Sequence, residues 1–337
     1  MKKIISDGKG GVSLADAPMP ALFDESVLCR MTHSLISPGT ERKGILETIG
    51  KSPEELLRTN LGYCGAGIVE ESRGNEISLK KGDRAAYYGG PYVSHSEYVV
   101  VPRHLVLPVP EDVDMESAAF IGLVAISMHG FRLGRLQLGD VCAVVGAGLV
   151  GNFAARLARL AGCRIVVSDN MPERLSPLEQ KDILCVSPQN LEKIVMDVSE
   201  SRGADAVLLC VSAKNAEPMF QALRMIRHGG RIVILGVLDI EIPREMFFQK
   251  EAEVTISRAA GPGRYDPSYE VKGVDYPAQY ARWTEGRNLR ESMRLISNGS
   301  LEAKSLIAGR YPLEQIGDAY RKVLSGAPGL AHIIEWK

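Results

Sequence analysis

The chain has 337 residues, more than one ordinary hydrophobic core fills, so two domains are expected. Hydrophobic residues make up 45% and charged residues 24%, and 40 Lys plus Arg against 41 Asp plus Glu leave a formal net charge of −1. This gives no electrostatic reason to expect nucleic acid or an anionic membrane as a partner. No run reaches the roughly 18 apolar residues of a membrane span, and the opening MKKIISDGKGGVSL lacks the apolar region of a signal peptide, so a cytoplasmic location is expected.

Residues 1–110 are rich in Gly and Pro, with short extended runs such as SVLCRMTHSLI, GAGIVEES, DRAAYY and EYVVVP. They read as a β-rich, irregular domain. Residues 114–137 read as helical. VCAVVGAGLVG (141–151) is an apolar strand ending in glycines, and NFAARLARLAG (152–162) a helix closed by Gly162. Further strands follow at CRIVVSD (163–169), DILCV (182–186), ADAVLLCVS (204–212), RIVILGV (231–237) and EVTISRA (253–259). Helices are expected at LEKIVMDVSE (191–200) and NAEPMFQALRMIRHGG (215–230), the second closing in Gly229 and Gly230. Apolar strands without alternation, separated by helices, indicate a parallel sheet covered on both faces, here a Rossmann-type doubly wound α/β domain. Beyond residue 262 come a Pro/Gly/Tyr-rich segment, two amphipathic helices and a terminal strand, AHIIEW, read as a return to the first domain. The expected division is 1–116, 117–262 and 263–337.

The six cysteines, at 29, 64, 142, 163, 185 and 210, include no CxxC pair. Four lie in or beside apolar runs and read as buried reduced thiols. No clustering of Cys or His offers a structural zinc site.

Gly146-Ala147-Gly148-Leu149-Val150-Gly151 is a GxGxxG run that follows a strand and opens a helix, and Asp169 ends the next strand. Gly146 permits the tight turn, Gly148 lets a pyrophosphate approach the backbone, and Gly151 lets helix and strand pack closely. The free N–H groups and the dipole of the helix start favour the diphosphate. A carboxylate at Asp169 suits ribose hydroxyls and repels a 2′-phosphate, which favours NAD(H) over NADP(H). Asn170 follows it, and Arg174 is close enough in sequence to serve the adenine side or a phosphate. Val211 and Gly236, at the ends of later strands, complete the candidate cofactor set.

On SPGTER (37–42), LGYCGAGIV (61–69), KKGDRAAYYG (80–89), SEYVVVP (96–102), the glycine run and GGRIVILGV (229–237), the chain resembles the medium-chain dehydrogenase/reductase family over nearly its whole length. That resemblance implies a GroES-like β-rich catalytic domain interrupted by the Rossmann domain. Zinc-dependent members carry Cys-Gly-Thr-Asp and later Gly-His-Glu. By the resemblance, Pro38 stands at the Cys position, Tyr63 at the His position and Cys64 at the Glu position, and the four-cysteine lobe is missing. The implied cofactor is NAD(H), with no zinc. SLISPGTERKG and the 261–288 segment resemble the medium-chain half of bi-domain oxidoreductases linked with sugar metabolism. The resemblance also implies a homodimer or homotetramer, formed through the strand EVTISRA.

Without a metal, a side chain must exchange the alcohol proton. By the resemblance, Thr40 occupies the position of a hydroxyl proton relay. Tyr63 either donates to the developing alkoxide, with Arg42 or Lys43 as a neighbour to lower its pKa, or fills the vacated pocket. Glu41 is either catalytic or a structural salt bridge. His129 is expected to be packed, and His95 to be solvated on a loop. Tyr88, Tyr265, Trp283, Arg264 and Arg42 suit a polyhydroxylated substrate, although such aromatics also pack loop-rich domains and interfaces. The reading is a zinc-independent, NAD(H)-linked oxidoreductase interconverting a secondary alcohol and a ketone on a sugar, cyclitol or similar small molecule. Its alternatives are an enoyl or quinone reductase, a bacteriochlorophyllide-type hydroxyethyl dehydrogenase, and a non-catalytic NAD(H)-binding sensor or structural protein.

Overall fold

A computed structural model describes residues 1–179, 182–238, 240–327 and 329–336. The chain forms two compact units, Met1–Ala125 with Pro262–Lys337, and Ile126–Gly261. The first boundary falls inside the helix Ile121–Leu133, later than the expected 116/117, because the helix continues unbroken past the end of the β-rich region.

In the first unit, β1 (Lys2–Ser6) and β2 (Val12–Asp16) form an antiparallel pair. The main sheet uses β3 (Ser26–Ile36), β4 (Cys64–Arg73), β5 (Arg84–Tyr88), β6 (Tyr98–Pro102) and β7 (Val106–Pro108). β3 pairs antiparallel with both β4 and β6, which makes it the organising strand. Its eleven residues include Val27, Cys29, Met31, Leu35 and Ile36, all essentially buried.

The second unit holds β8 (Val141–Val145), β9 (Arg164–Ser168), β10 (Leu184–Val186), β11 (Ala204–Leu209), β12 (Ile226–Ile234) and β13 (Glu253–Ile256). All pairings are parallel, in the order β10-β9-β8-β11-β12-β13. Period-two side chains divide the core into two layers. Val141, Ala143 and Val145 face Leu191, Val195, Met219 and Leu223, whereas Cys142 and Val144 face Ala154, Ala155 and Ala158. Burial on both faces explains the uninterrupted apolar runs, each large side chain contributing about 1.5–3 kcal/mol.

One expectation is corrected. The helix expected over 215–230 is Glu217–Met225, and Ile226 already has an extended backbone. Gly229 and Gly230 therefore do not close a helix. They lie in a bulge of β12, where the register with β11 jumps from Ala204↔Ile226 to Ala206↔Arg231. Pairing with β11, reinforced by Arg227 Nε donating to Asp205 Oδ1 at 2.6 Å, outweighs local helix propensity there.

The chain returns to the first unit with β14 (Ile307–Pro312) and β15 (Ala331–Glu335), and β15 pairs antiparallel with β3 through His332↔Ile36. Among the described residues no helix is long and apolar enough to cross a membrane.

Candidate active site

The cradle is built at the C-terminal ends of β8, β9, β11 and β12. Gly146 has φ of +93°, and a Cβ there would meet Val211 Cγ1 at 2.6 Å. A Cβ on Gly151 would lie 1.8 Å from the Gly146 carbonyl oxygen, so this glycine is needed for helix to meet strand. A Cβ on Gly148 would meet nothing within 4 Å. Its requirement is therefore not internal packing, which fits an open approach for a ligand. Gly148 is the N-cap of the helix Leu149–Leu160, and the first-turn N–H groups, including those of Leu149 and Val150, have no intrahelical acceptor. These residues fit a dinucleotide diphosphate.

Asp169 is nearly buried. Its Oδ2 accepts from Ala147 N at 2.8 Å and its Oδ1 from Met171 N at 2.8 Å. The carboxylate is thus fixed against the glycine turn before any ligand arrives. Arg174 Nη1 lies 3.8 Å from Asp169 Oδ2, so the structure gives that arginine an ion-pair role beside the carboxylate. Asn170 is exposed next to it. Gly236 is accounted for by packing, since a Cβ would lie 1.8 Å from Val211 O.

In the first unit, the turn between β3 and the helix Pro38–Leu46 carries a cluster of hydroxyls. Tyr63 Oη donates to Ser37 Oγ at 2.8 Å, and the exposed Thr40 hydroxyl is near enough to act on the phenol's charge. Burial pushes the Tyr63 phenol well above its ordinary value and outweighs the lowering by the Ser37 and Thr40 hydroxyls. The expectation that Arg42 or Lys43 lowers it is overturned. Arg42 is exposed and lies beside Gly326, which caps the C-terminal helix Ile316–Ser325.

Glu41, expected among the catalytic residues, is buried and fully engaged. Its Oε1 accepts from Ser37 N at 2.7 Å, and its Oε2 accepts from Tyr320 Oη at 2.5 Å and faces His95 Nε2 at 3.0 Å. His95, expected to be a solvated loop residue, is 0% exposed, and its Nδ1 lies 2.8 Å from Ser34 Oγ, which also accepts from Trp336 Nε1 at 2.9 Å. A buried polar group must find partners or lose free energy, and this network supplies them all. His129 is partly buried, and burial with Arg132 nearby pushes its imidazole down to about 4.

Of the expected substrate residues, Tyr88 is buried and sits edge-on to Tyr63, ring centroids 6.1 Å apart. Arg264 lies over Tyr88 at 5.7 Å and over Tyr265 at 4.0 Å. It is itself buried, ion-paired with Glu270 and bonded to the Gly90 carbonyl, so its charge is spent on the fold. Tyr265 is 55% exposed. Trp283 lies under Arg282, 4.5 Å from ring centroid to guanidinium. Ser37, Ser34, Tyr320 and Trp336 were not anticipated. Only Ser37 carried a signal, a serine directly ahead of a helix-starting proline with Glu four residues on.

Comparison with known proteins finds relatives among zinc-type alcohol and polyol dehydrogenases. Residues 150–271 match the family model described as zinc-binding dehydrogenase. L-galactonate-5-dehydrogenase of Escherichia coli is 26% identical over 67% of this chain, and sorbitol dehydrogenase of Bacillus subtilis is 26% identical over 68%. The matches span 60% and 59% of those relatives, less than two thirds of their length. Human sorbitol dehydrogenase is 24% identical over 96% of this chain and 92% of its own. Among solved structures, the alcohol dehydrogenase TADH from Thermus sp. ATN1 superposes with a TM-score of 0.81 at 21% identity, covering all of both chains. These matches and the shared fold support a relationship to the medium-chain dehydrogenases.

The family model's name implies zinc, and the residues of this chain do not fit it. Pro38 offers no donor. The Tyr63 phenol is engaged with Ser37. Burial holds the Cys64 thiol well above its ordinary value, whereas zinc binds the thiolate. Glu41 and His95 are closed on one another. Among the described residues no group of three or more His, Cys, Asp or Glu is placed to hold a metal ion.

Proposed function

We propose that the protein is an NAD(H)-linked oxidoreductase that interconverts a secondary alcohol and a ketone on a sugar, polyol or related molecule without zinc. The observation that carries this reading is the Tyr63 phenol, set among the hydroxyls of Ser37 and Thr40 at the position where zinc-dependent relatives place a ligand histidine. The polyol class is supported by relatives named as L-galactonate-5-dehydrogenase and sorbitol dehydrogenase. The preference for NAD(H) is supported by Asp169, whose anchored carboxylate repels a 2′-phosphate.

Bound NAD(H) supplies or accepts the hydride. In ketone reduction, Tyr63 gives its proton to the carbonyl oxygen as hydride adds to carbon. The phenolate is stabilised by hydrogen bonds from Ser37 and Thr40, and exposed Thr40 returns a proton from water. Oxidation runs the same steps in reverse. Tyr265, 55% exposed, offers its ring and hydroxyl to the remainder of a polyhydroxylated substrate. Self-association through β13 is part of the reading. It is supported by that strand's position at the edge of the sheet and by the exposure of Val254 and Ile256.

The test is turnover of sorbitol, xylitol, galactitol and L-galactonate with NAD+ and with NADP+, before and after dialysis against a chelator. The expected result is NAD+-dependent turnover that survives the chelator. Loss of activity on chelation with recovery on added zinc overturns the metal-free mechanism, and NADH binding without turnover favours a sensor.

A further inference from the structure

Ser37 sits at the N-cap of the helix Pro38–Leu46, yet its side chain makes no capping hydrogen bond. Serine at this position ordinarily accepts from the N–H of the second or third helical residue. Here its hydroxyl is turned to Tyr63 Oη at 2.8 Å. Glu41 is tied to the Ser37 backbone at two points: its Oε1 accepts from Ser37 N at 2.7 Å, and its own N–H donates to Ser37 O at 3.0 Å.

The same buried histidine holds both partners. His95 faces Glu41 through Nε2 at 3.0 Å, which fixes the Ser37 side. His95 N also donates to Leu61 O at 2.7 Å. Gly62, with φ of +79°, passes so close over the imidazole that a Cβ would lie 2.5 Å from its Cε1 and Nε2. The chain therefore enters Tyr63 directly off the His95 ring, and Gly89 N, donating to Tyr63 O at 2.8 Å, fixes the far side.

We infer that Ser37 is a positioning residue for Tyr63. Its hydroxyl, kept out of the helix cap, holds the phenol in the orientation from which it exchanges the substrate proton, and the buried Glu41–His95 pair clamps both in register. This rests on the proposed alcohol–ketone chemistry. The single phenol hydrogen, donated to Ser37 Oγ in the free protein, turns to the substrate oxygen and passes to it, while the Ser37 hydroxyl reverses its bond and donates to the phenolate without itself losing a proton.

The test combines a readout independent of turnover with one that depends on it. Full-length protein is labelled with 3-fluorotyrosine, and the 19F resonance of Tyr63 is assigned by its absence in Tyr63→Phe. Ser37→Ala is expected to move that resonance, and Ser37→Thr to return it towards the wild-type position. With NAD+ and the fastest polyol of sorbitol, xylitol, galactitol and L-galactonate, Ser37→Ala is expected to lower kcat at least about tenfold with KM nearly unchanged, and Ser37→Thr to recover most of it. Ser37→Cys, which keeps the side chain's shape with a weaker hydrogen-bonding atom, is expected to fall between them and serves if the alanine variant does not fold. An unmoved resonance, or a moved resonance with unchanged kcat, overturns the role of Ser37 while leaving the proposed function standing. Wild-type protein without turnover of any of the four polyols overturns the proposed function and this inference together.

Discussion

A tyrosine whose phenol burial has pushed upward holds its proton at neutral pH and is a weaker acid than an ordinary phenol, so it needs partners that stabilise the phenolate as the proton leaves. At neutral pH Tyr63 therefore carries its proton and is poised for ketone reduction. Tyr63→Phe removes the donor while retaining the ring that meets Tyr88. We expect kcat to fall by about 10²–10⁴-fold, as for loss of a general acid, with NADH affinity by fluorescence titration unchanged. Unchanged turnover would leave Tyr63 as packing. Arg264 shows how a residue type misleads on its own. An arginine among tyrosines reads as a ligand-binding group, yet this one is buried against Glu270. Arg264→Ala leaves the Glu270 carboxylate buried without its cation. The expected cost is about 3–5 kcal/mol in denaturant unfolding, and a loss near zero would return Arg264 to the substrate.

At the scale of the element, the strand–turn–helix of the cradle separates two kinds of glycine. Gly151→Ala drives a Cβ into the Gly146 carbonyl oxygen 1.8 Å away, so the folded unit itself is expected to lose stability, read as a fall in melting temperature. Gly148→Ala meets nothing in the free protein. It is expected to leave the melting temperature within a few degrees and to weaken NADH binding at least about tenfold in isothermal titration, since its methyl occupies the diphosphate approach. Equal stability losses in the two variants would remove the evidence for a ligand at Gly148. The β12 bulge makes a related point: glycines after an amphipathic run read as a helix end, but strand pairing with β11 claims the residues first.

For the whole molecule, acid stability follows from a histidine that must stay neutral. The imidazole of His129 is pushed down to about 4 by burial and Arg132, whereas its ordinary value is 6.5. The unfolded chain then binds the extra proton. The contribution is fully present above pH 6.5 and is lost as pH falls from there towards 4, up to roughly 3 kcal/mol. His129→Asn is expected to flatten the pH dependence of urea unfolding between pH 7 and 4.5. An unaltered slope would show that other groups set it. The same scale explains the discontinuous first unit. β15 joins β3, and the tail brings Tyr320 to Glu41 across 279 residues and Trp336 to Ser34 across 302.

The sequence alone determined the parallel sheet, because strands buried on both faces must be apolar runs, and the glycine cradle, because a tight turn, an open approach and a close packing contact each exclude a side chain in a fixed order. It also placed Asp169 at the strand end. The cradle and Asp169 are local, written between Val141 and Asp169, and each strand of the sheet is legible within its own short run. Only the tertiary structure decided which polar residues around Tyr63 are working surface and which are buried support. Glu41 read as either catalytic or a structural ion pair and His95 as solvated, and they proved to be buried partners. A buried hydrogen bond depends on residues far apart in sequence that leave no periodicity, so the clamp behind Ser37 exists only once β3, the turn at Gly62 and the C-terminal strand have come together.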